Sequence, residues 1–217
     1  QISYTAWTDP TSMPKTGNYY LMTDVVSANQ NSTQAGTLNL CLHGHKVTVA
    51  ENADRRRIYF VNSNTTMNIS DCAGNGTVSG CTAGAILTNG SGKNVEVNLY
   101  GGTFTDNHAT GTGATFVIQG QGTLRMYDGI ITGNTAKSGA GVAIYGKDAK
   151  LFMYGGTIEK NQVTAQGGGL YVSEGTAQLS GGTVAGNEAQ HGGGFYVTGN
   201  AAYVNVQGAE VTGNTAS

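Results

Sequence analysis

The carboxylates are the side chains of this sequence most suited to acid–base chemistry. Cleavage of a glycosidic bond needs two carboxyl groups within about 5–10 Å of each other. From residue 96 onward the acids are spread along the chain: Glu96, Asp106, Asp128, Asp148, Glu159, Glu174, Glu188 and Glu210. Relative to the recurrent asparagine of its repeat, each of four of these acids lies at a different position: Asp106, Asp128, Glu159 and Glu210. The pattern therefore predicts no catalytic residues, and we expect a protein that is not an enzyme.

Cysteine and histidine side chains could bind a metal or form a disulfide. Cys41, His43 and His45 alternate along an extended segment, and with Cys72 they could begin a zinc site. The glycine between the two histidines is expected to turn the chain and separate their rings, so we predict no metal site and no cofactor. A disulfide between Cys41 and Cys72 is the preferred interpretation, with a Cys72–Cys81 bond or free thiols as the alternatives.

Six tyrosines recur with the repeats and are the candidate binding residues: Tyr100, Tyr127, Tyr154, Tyr145, Tyr171 and Tyr196. The first three each lie seven residues before a recurrent asparagine, whereas Tyr171 and Tyr196 share a later position, with Tyr145 nearby. The alternation of apolar residues points these rings outward, where rigid tyrosines can stack on sugar rings or anchor a protein partner. The alternative is structural, because stacked tyrosines also cover strand edges and stabilise one another.

Five asparagines mark the repeat, at spacings of 27, 27, 26 and 27 residues: Asn107, Asn134, Asn161, Asn187 and Asn214. In stacked β-coils, like residues lie about 4.8 Å apart. The asparagines are therefore predicted to form a structural ladder of side-chain hydrogen bonds. Asparagine also tolerates the left-handed backbone conformation of a tight corner.

Three short stretches of alternating apolar residues recur in each repeat, the first of them beginning at Val97 and Leu99. Period-two alternation interrupted by glycine is typical of strands rather than helices. The chain is predicted to be an all-β, single-stranded parallel β-helix of about eight coils of roughly 27 residues, with three strands per coil. It forms one domain over 1–217, with an N-terminal cap and first coil in 1–36, irregular coils in 37–94 and regular coils in 95–217.

The composition excludes several classes of function. Of 217 residues, 35 are glycine and only 11% are charged, and the net charge is −2. That charge does not favour nucleic-acid binding, and the apolar stretches are too short to insert into a membrane. Arg55, Arg56 and Arg57 form a basic cluster that we interpret as a solvated turn.

The strings LNLCLHGHKVTV and MNISDCAGNGTVSG, and the repeated GGT motif followed by GGGLYV or GGGFYV, resemble a known family. They are similar to right-handed parallel β-helix repeat regions of large, adhesin-like bacterial surface proteins, common in gut Gram-positive bacteria. The resemblance implies a right-handed coil, an extracellular location at the cell surface or after secretion, and binding rather than one agreed activity.

Together these observations predict a non-catalytic binding or adhesion module that presents a ladder-built face to a host protein or a glycan. Mucin and immunoglobulin are the host proteins that such a location suggests. The alternatives are a carbohydrate-active β-helix, of the polysaccharide lyase or glycosidase kind, and a purely structural stalk. We further expect a monomeric fragment of a larger protein, with more repeats after Ser217.

Overall fold

The computed structural model of the chain is an all-β parallel solenoid of about seven turns, with about 27 residues per turn. The structure describes residues 3–51, 57–113 and 115–217, so Arg55 and Arg56 of the basic cluster lie outside the described residues. The prediction of a parallel β-helix is confirmed. Among the described residues there is no helix of the length and apolar character needed to cross a membrane.

The described residues form 28 short strands, most of them three to five residues long, because glycine or asparagine turns the chain after a few alternating positions. In chain order they are β1 (Thr5–Trp7), β2 (Gly17–Leu21), β3 (Val25–Ser27), β4 (Asn31–Ser32), β5 (Gly36–Cys41), β6 (Lys46–Val49), β7 (Tyr59–Val61), β8 (Thr65–Ser70), β9 (Thr77–Ser79), β10 (Ile86–Thr88), β11 (Val95–Leu99), β12 (Thr103–Thr105), β13 (Phe116–Gln119), β14 (Gly122–Met126), β15 (Ile130–Thr132), β16 (Thr135–Ala136), β17 (Val142–Tyr145), β18 (Lys150–Met153), β19 (Thr157–Glu159), β20 (Gln162–Val163), β21 (Leu170–Ser173), β22 (Thr176–Leu179), β23 (Thr183–Ala185), β24 (Glu188–Ala189), β25 (Phe195–Thr198), β26 (Tyr203–Val206), β27 (Glu210–Thr212) and β28 (Thr215–Ala216).

Three long parallel sheets run along the solenoid, and each full turn contributes one strand to each of them. In spatial order, sheet 1 contains β1, β2, β5, β8, β11, β14, β18, β22 and β26; sheet 2 contains β3, β6, β9, β12, β15, β19, β23 and β27; sheet 3 contains β4, β7, β10, β13, β17, β21 and β25. From β16 onward each turn adds a two-residue strand between sheets 2 and 3. These strands form sheet 4: β16, β20, β24 and β28.

The first strand closes the N-terminal end of sheet 1 without completing a coil. β1 pairs with β2 so that Thr5 lies opposite Tyr19. Trp7 packs edge-on against Tyr19 with ring centroids 5.1 Å apart, and its indole nitrogen donates a hydrogen bond to the Ser12 carbonyl. Without β1, sheets 1 and 2 have eight strands each and sheet 3 has seven. The last turn, which begins with β26, has no strand in sheet 3, so about seven turns are complete.

The core is built by the inward residues of the three long sheets. Leu124, Leu151, Phe104, Ile131 and Phe116 have no solvent exposure. Phe104 of sheet 2 and Phe116 of sheet 3 contact each other across the interior, with ring centroids 4.8 Å apart. Burial of such a side chain stabilises the fold by about 1.5–3 kcal/mol, so every turn contributes its own share and each turn rests on its neighbours.

The five repeated asparagines form a continuous ladder at the corner after sheet 2. Each side-chain nitrogen donates to the side-chain oxygen of the next asparagine at 2.9–3.0 Å. The first four members are fully buried. The ladder begins below Asn107, where the Cys81 backbone nitrogen donates to the Asn107 side-chain oxygen.

The five asparagines do not themselves adopt the left-handed conformation that asparagine tolerates. Positive φ falls on the residue before each of them, as at Asp106 (53°), Gly133 (65°) and Lys160 (51°). The asparagine side chain has to point inward to reach the asparagine of the next turn, so the preceding residue makes the sharp change of direction.

Candidate functional site

A column of three stacked tyrosines lies at the outer end of sheet 1. The ring centroids of Tyr100 and Tyr127 are 4.9 Å apart and the rings are nearly parallel, at 2°. Tyr127 and Tyr154 are 5.1 Å apart at 19°. The three residues are 40–47% exposed. We call these three residues the tyrosine ladder.

The strands of sheet 1 hold the ladder in register. Leu99, Met126 and Met153 are paired neighbours that end β11, β14 and β18, and each points into the core. Side chains alternate along a strand, so the tyrosine that follows each of these residues points outward. Backbone hydrogen bonds from Tyr127 to the Leu99 carbonyl and from Tyr154 to the Met126 carbonyl, both 2.8 Å, continue the pairing through the ladder.

Mutual stacking decides which part of each ring a ligand can reach. Both faces of Tyr127 are covered, by Tyr100 on one side and Tyr154 on the other. At Tyr127 the ring edge and the hydroxyl group remain open, whereas Tyr100 and Tyr154 each have a ladder tyrosine on one face only. Burial and the neighbouring Tyr127 raise the pKa of Tyr100, so its hydroxyl is protonated and able to donate a hydrogen bond at neutral pH.

The other three candidate tyrosines form a separate group on sheet 3. Tyr171 and Tyr196 are paired neighbours of β21 and β25, stacked at 5.8 Å and 9°. Tyr145 is paired with Ser173 rather than Tyr171 and meets the Tyr171 ring at a tilt of 44°. Burial raises the pKa of Tyr145, and its interaction with the Thr112 side chain offsets part of that rise. The six tyrosines therefore lie on two sheets, and the tyrosine ladder is the longer stack.

A second hydrogen-bonded row flanks the tyrosine ladder and was not expected from the sequence. It consists of outward asparagines of β2, β5, β8 and β11, which donate side chain to side chain at 2.6–2.8 Å: Asn18, Asn39, Asn68 and Asn98. Arg125 occupies the next place in the row, paired with Asn98. Arg125 forms an ion pair with Glu96, and its guanidinium lies 5.6 Å from the centroid of the Phe152 ring.

A cavity of about 600 Å³ opens in the same outward column as the tyrosine ladder, on its N-terminal side. Tyr20 pairs with Cys41, and Cys41 pairs with Ser70. Ile69 and Leu99 are paired, so the residues that follow them, Ser70 and Tyr100, lie in the same column. One column of outward positions therefore runs from Tyr20 to the tyrosine ladder. Small side chains at the two middle positions leave the cavity, which is lined by Tyr4, Tyr20, Met22, Cys41, His43, Ser70 and Cys72.

The three cysteines are free thiols in this structure. The predicted disulfide between Cys41 and Cys72 is not formed, although the two residues are in contact: the Cys72 backbone nitrogen lies 3.2 Å from the Cys41 sulfur. A hydrogen bond with the Cys41 thiol and burial raise the pKa of Cys72 to about 11. Cys81 is fully buried in the core, where burial raises its pKa to about 12.

The histidines near Cys41 do not converge on a zinc site. His43 has φ 53° and lies edge-on to Tyr20, with ring centroids 5.2 Å apart. His45 instead contacts the Asp24 carboxylate at 3.3 Å. Within the described ranges no three His, Cys, Asp or Glu side chains are grouped closely enough to hold a metal ion.

Sheet 4 carries a shallow trough on its outer surface. Two adjoining cavities, of about 630 and 590 Å³, share Gln162, Val163 and Thr164 in their lining. The polar residues that border them are mostly neutral: Thr110, Thr135, Lys137, Gln162, Thr164, Glu188, Gln190, Thr215 and Ser217. The trough runs along the solenoid because it crosses paired strands of successive turns.

Comparison with known proteins assigns no family to the chain. No family model matches it, and neither a curated protein nor a solved structure matches it significantly. The fold therefore stands on the periodicity and the structure, and the adhesin-like resemblance stays a hypothesis.

Proposed function

We propose that the chain is a non-catalytic binding module of an extracellular bacterial protein, which presents its ladder-built face to a host protein or glycan. The observation that carries this proposal is the tyrosine ladder: three partly exposed rings held at 4.9 and 5.1 Å by the strand register. Tyrosine combines a large apolar area with a hydroxyl at low entropic cost, which suits it to recognition.

The ladder geometry favours a protein partner over stacking on sugar rings. A sugar needs an open aromatic face, and neighbouring rings cover both faces of Tyr127. Edges and hydroxyls instead offer a row of donors and acceptors with apolar carbon between them. Arg125 and Phe152 lie beside this row and extend it with one charged and one aromatic group. Mucin and immunoglobulin are the host proteins to test first.

A glycan ligand is the second candidate, and the trough on sheet 4 supports it. Its hydroxyl and amide side chains suit a hydroxyl-rich chain lying along the solenoid, and its few charges favour a neutral one. A pure stalk, whose ligand is bound elsewhere in a longer protein, is the remaining hypothesis.

The test is capture from mucus and serum by immobilised protein, with wild type compared with a Tyr127→Ala/Tyr154→Ala variant. The control is Tyr203→Ala, because Tyr203 is 53% exposed and lies outside the ladder. We expect a partner that wild type and the control retain and the ladder variant loses. If the wild type and both variants retain the same partner, the ladder is not the binding surface. If the wild type retains nothing, the binding proposal is overturned in favour of the stalk.

The carbohydrate-active alternative needs a separate assay. Wild-type protein is incubated with neutral and uronate-containing polysaccharides, and new reducing ends are measured. We expect none to form. Release of reducing ends that scales with protein concentration would contradict a non-catalytic module.

A further inference from the structure

The cavity beside the tyrosine ladder brings together side chains whose common property is soft-metal chemistry. Two cysteine thiols, one methionine thioether and one imidazole line the same space of about 600 Å³: Cys41, Cys72, Met22 and His43. The remaining lining side chains, from Tyr4, Tyr20 and Ser70, are neutral hydroxyls. Sulfur donors of this kind select soft ions such as Cu(I), whereas carboxylates and carbonyls suit Mg²⁺, Ca²⁺ and Mn²⁺.

The carboxylate next to Cys72 in the chain is engaged by backbone groups. The two oxygens of Asp71 accept hydrogen bonds from the Gly44 and Gly76 backbone nitrogens at 2.7 and 2.6 Å. Among the residues that the structure describes, no Asp or Glu lines the cavity. The cavity therefore contains sulfur and nitrogen donors but lacks the carboxylate oxygens that a hard divalent ion prefers.

The two thiols are already side by side. Cys41 and Cys72 lie in adjacent turns, and the backbone nitrogen of Cys72 donates to the Cys41 sulfur at 3.2 Å. Cys41 is buried and Cys72 is exposed, so an ion could enter from solvent and reach the buried sulfur through the exposed one.

His43 lines the cavity but is not grouped with the two thiols as a third ligand. Its Nδ1 lies 3.2 Å from the Leu21 carbonyl oxygen, and its ring packs edge-on against Tyr20 with ring centroids 5.2 Å apart. Within the described ranges no three His, Cys, Asp or Glu side chains converge on one point, so Cys41 and Cys72 are the two primary donors.

We propose that Cys41 and Cys72 bind a soft monovalent d¹⁰ ion, Cu(I), with the Met22 thioether as a further donor from the cavity wall. Two thiol sulfurs supply the primary bonds, and a linear two-sulfur complex is an established geometry for Cu(I). The absence of any three grouped His, Cys, Asp or Glu side chains in the described part of the chain disfavours tetrahedral Zn²⁺, which needs four ligands. On binding, both thiols release their protons to solvent, so the two thiolates and Cu(I) form a complex of charge −1.

The test is an anaerobic titration of the fully reduced protein with Cu(I), in competition with a chromogenic Cu(I) chelator. Thiol titration and mass spectrometry first establish that all three cysteines are reduced. We expect one equivalent of Cu(I) to bind, Ag(I) to compete for the same site, and Zn²⁺ to bind far more weakly. Cys41→Ser and Cys72→Ser should each weaken Cu(I) binding by about 100-fold or more, and Met22→Leu by about 10-fold.

The chain offers its own control in Cys81, which is fully buried and absent from the cavity lining. Cys81→Ala should bind Cu(I) like wild type, and the exposed Cys72→Ser variant should melt like wild type. The proposal is overturned if the reduced wild type binds no Cu(I), if Cys81→Ala loses binding as Cys72→Ser does, or if Zn²⁺ binds as tightly. It is also overturned if copper does not stay with the fully reduced protein when the mixture is passed through a gel-filtration column under the same anaerobic conditions.

Discussion

Replacing Asn161 by alanine tests whether the asparagine ladder holds the turns together. The side-chain oxygen of Asn161 accepts from the backbone and side-chain nitrogens of Asn134, at 3.1 and 2.9 Å. Its side-chain nitrogen donates to the Ile131 carbonyl and to the Asn187 side-chain oxygen, at 2.9 and 3.0 Å. All these bonds lie in an interior where Asn161 has no exposure, so water does not replace them.

The magnitude follows from the groups that lose their partners. Asn161→Ala leaves two buried donors of Asn134 without an acceptor. A buried polar group without a partner costs about 1–3 kcal/mol, which gives about 2–6 kcal/mol for the pair. The Asn214→Ala control removes the last rung, which is only half-buried, so water can replace its hydrogen bonds and we expect a loss below about 1 kcal/mol.

Hydrogen exchange at the Asn134 amide is the direct assay, because that amide donates to the side chain being removed. Exchange also reports on local opening in a repeat fold, where one global unfolding energy is poorly defined. A loss of 2 kcal/mol or more lowers protection about 30-fold or more. The reasoning is refuted if protection of Asn134 in Asn161→Ala stays within about threefold of wild type, or if Asn214→Ala lowers it as much.

Three further outcomes follow from the packing and the hydrogen bonds. Phe116→Ala, at a fully buried ring, should lower the free energy of unfolding by about 3–5 kcal/mol and lower the melting temperature. Its control is Val26→Ala, at a side chain that is 52% exposed, which should leave the melting temperature nearly unchanged. Equal effects of the two substitutions would contradict the assigned core. Gly155→Ala places a methyl group 2.3 Å from the Tyr127 carbonyl oxygen and should cost about 1–3 kcal/mol in a thermal melt, whereas Gly111→Ala meets nothing within 4 Å and should melt like wild type. Hydrogen bonds from Ser12 and Thr11 lower the pKa of Asp9 from 3.8 to about 2. The contribution of the ionised carboxylate to the free energy of unfolding is therefore fully present above pH 3.8 and is lost as the pH falls toward about 2. An NMR titration of the Asp9 carboxyl group with a midpoint near 3.8 would contradict these hydrogen bonds.

The regular half of the solenoid could be predicted from sequence because its repeat length is nearly constant. With spacings of 26 or 27 residues, Asn107 to Asn214 and Tyr100 to Tyr154 align without knowledge of the turns between them. Strand alternation then separates inward leucines from outward tyrosines. Which part of a ring stays open was not predictable, because it depends on the stacking distance and angle of the neighbouring rings.

The N-terminal half was harder to predict because its turns differ in length. Tyr20, Cys41, Ser70 and Tyr100 share one column, yet they are 21, 29 and 30 residues apart. No constant period aligns them, so neither the cavity nor the outward asparagine row was expected. The contact between Cys41 and Cys72 was anticipated because both lie in adjacent coils, but the sequence could not distinguish a disulfide from two thiols that line a cavity.

Tyrosine footprinting tests the central proposal most directly, since it asks where a ligand lies rather than whether one binds. Nitration of each tyrosine is mapped by mass spectrometry, with and without a saturating amount of the partner retained by the wild-type protein. We expect the partner to slow nitration of Tyr100, Tyr127 and Tyr154 and to leave Tyr203, which is 53% exposed, unchanged. Unaltered nitration of the ladder in the saturated complex would contradict the assignment of this face as the binding surface.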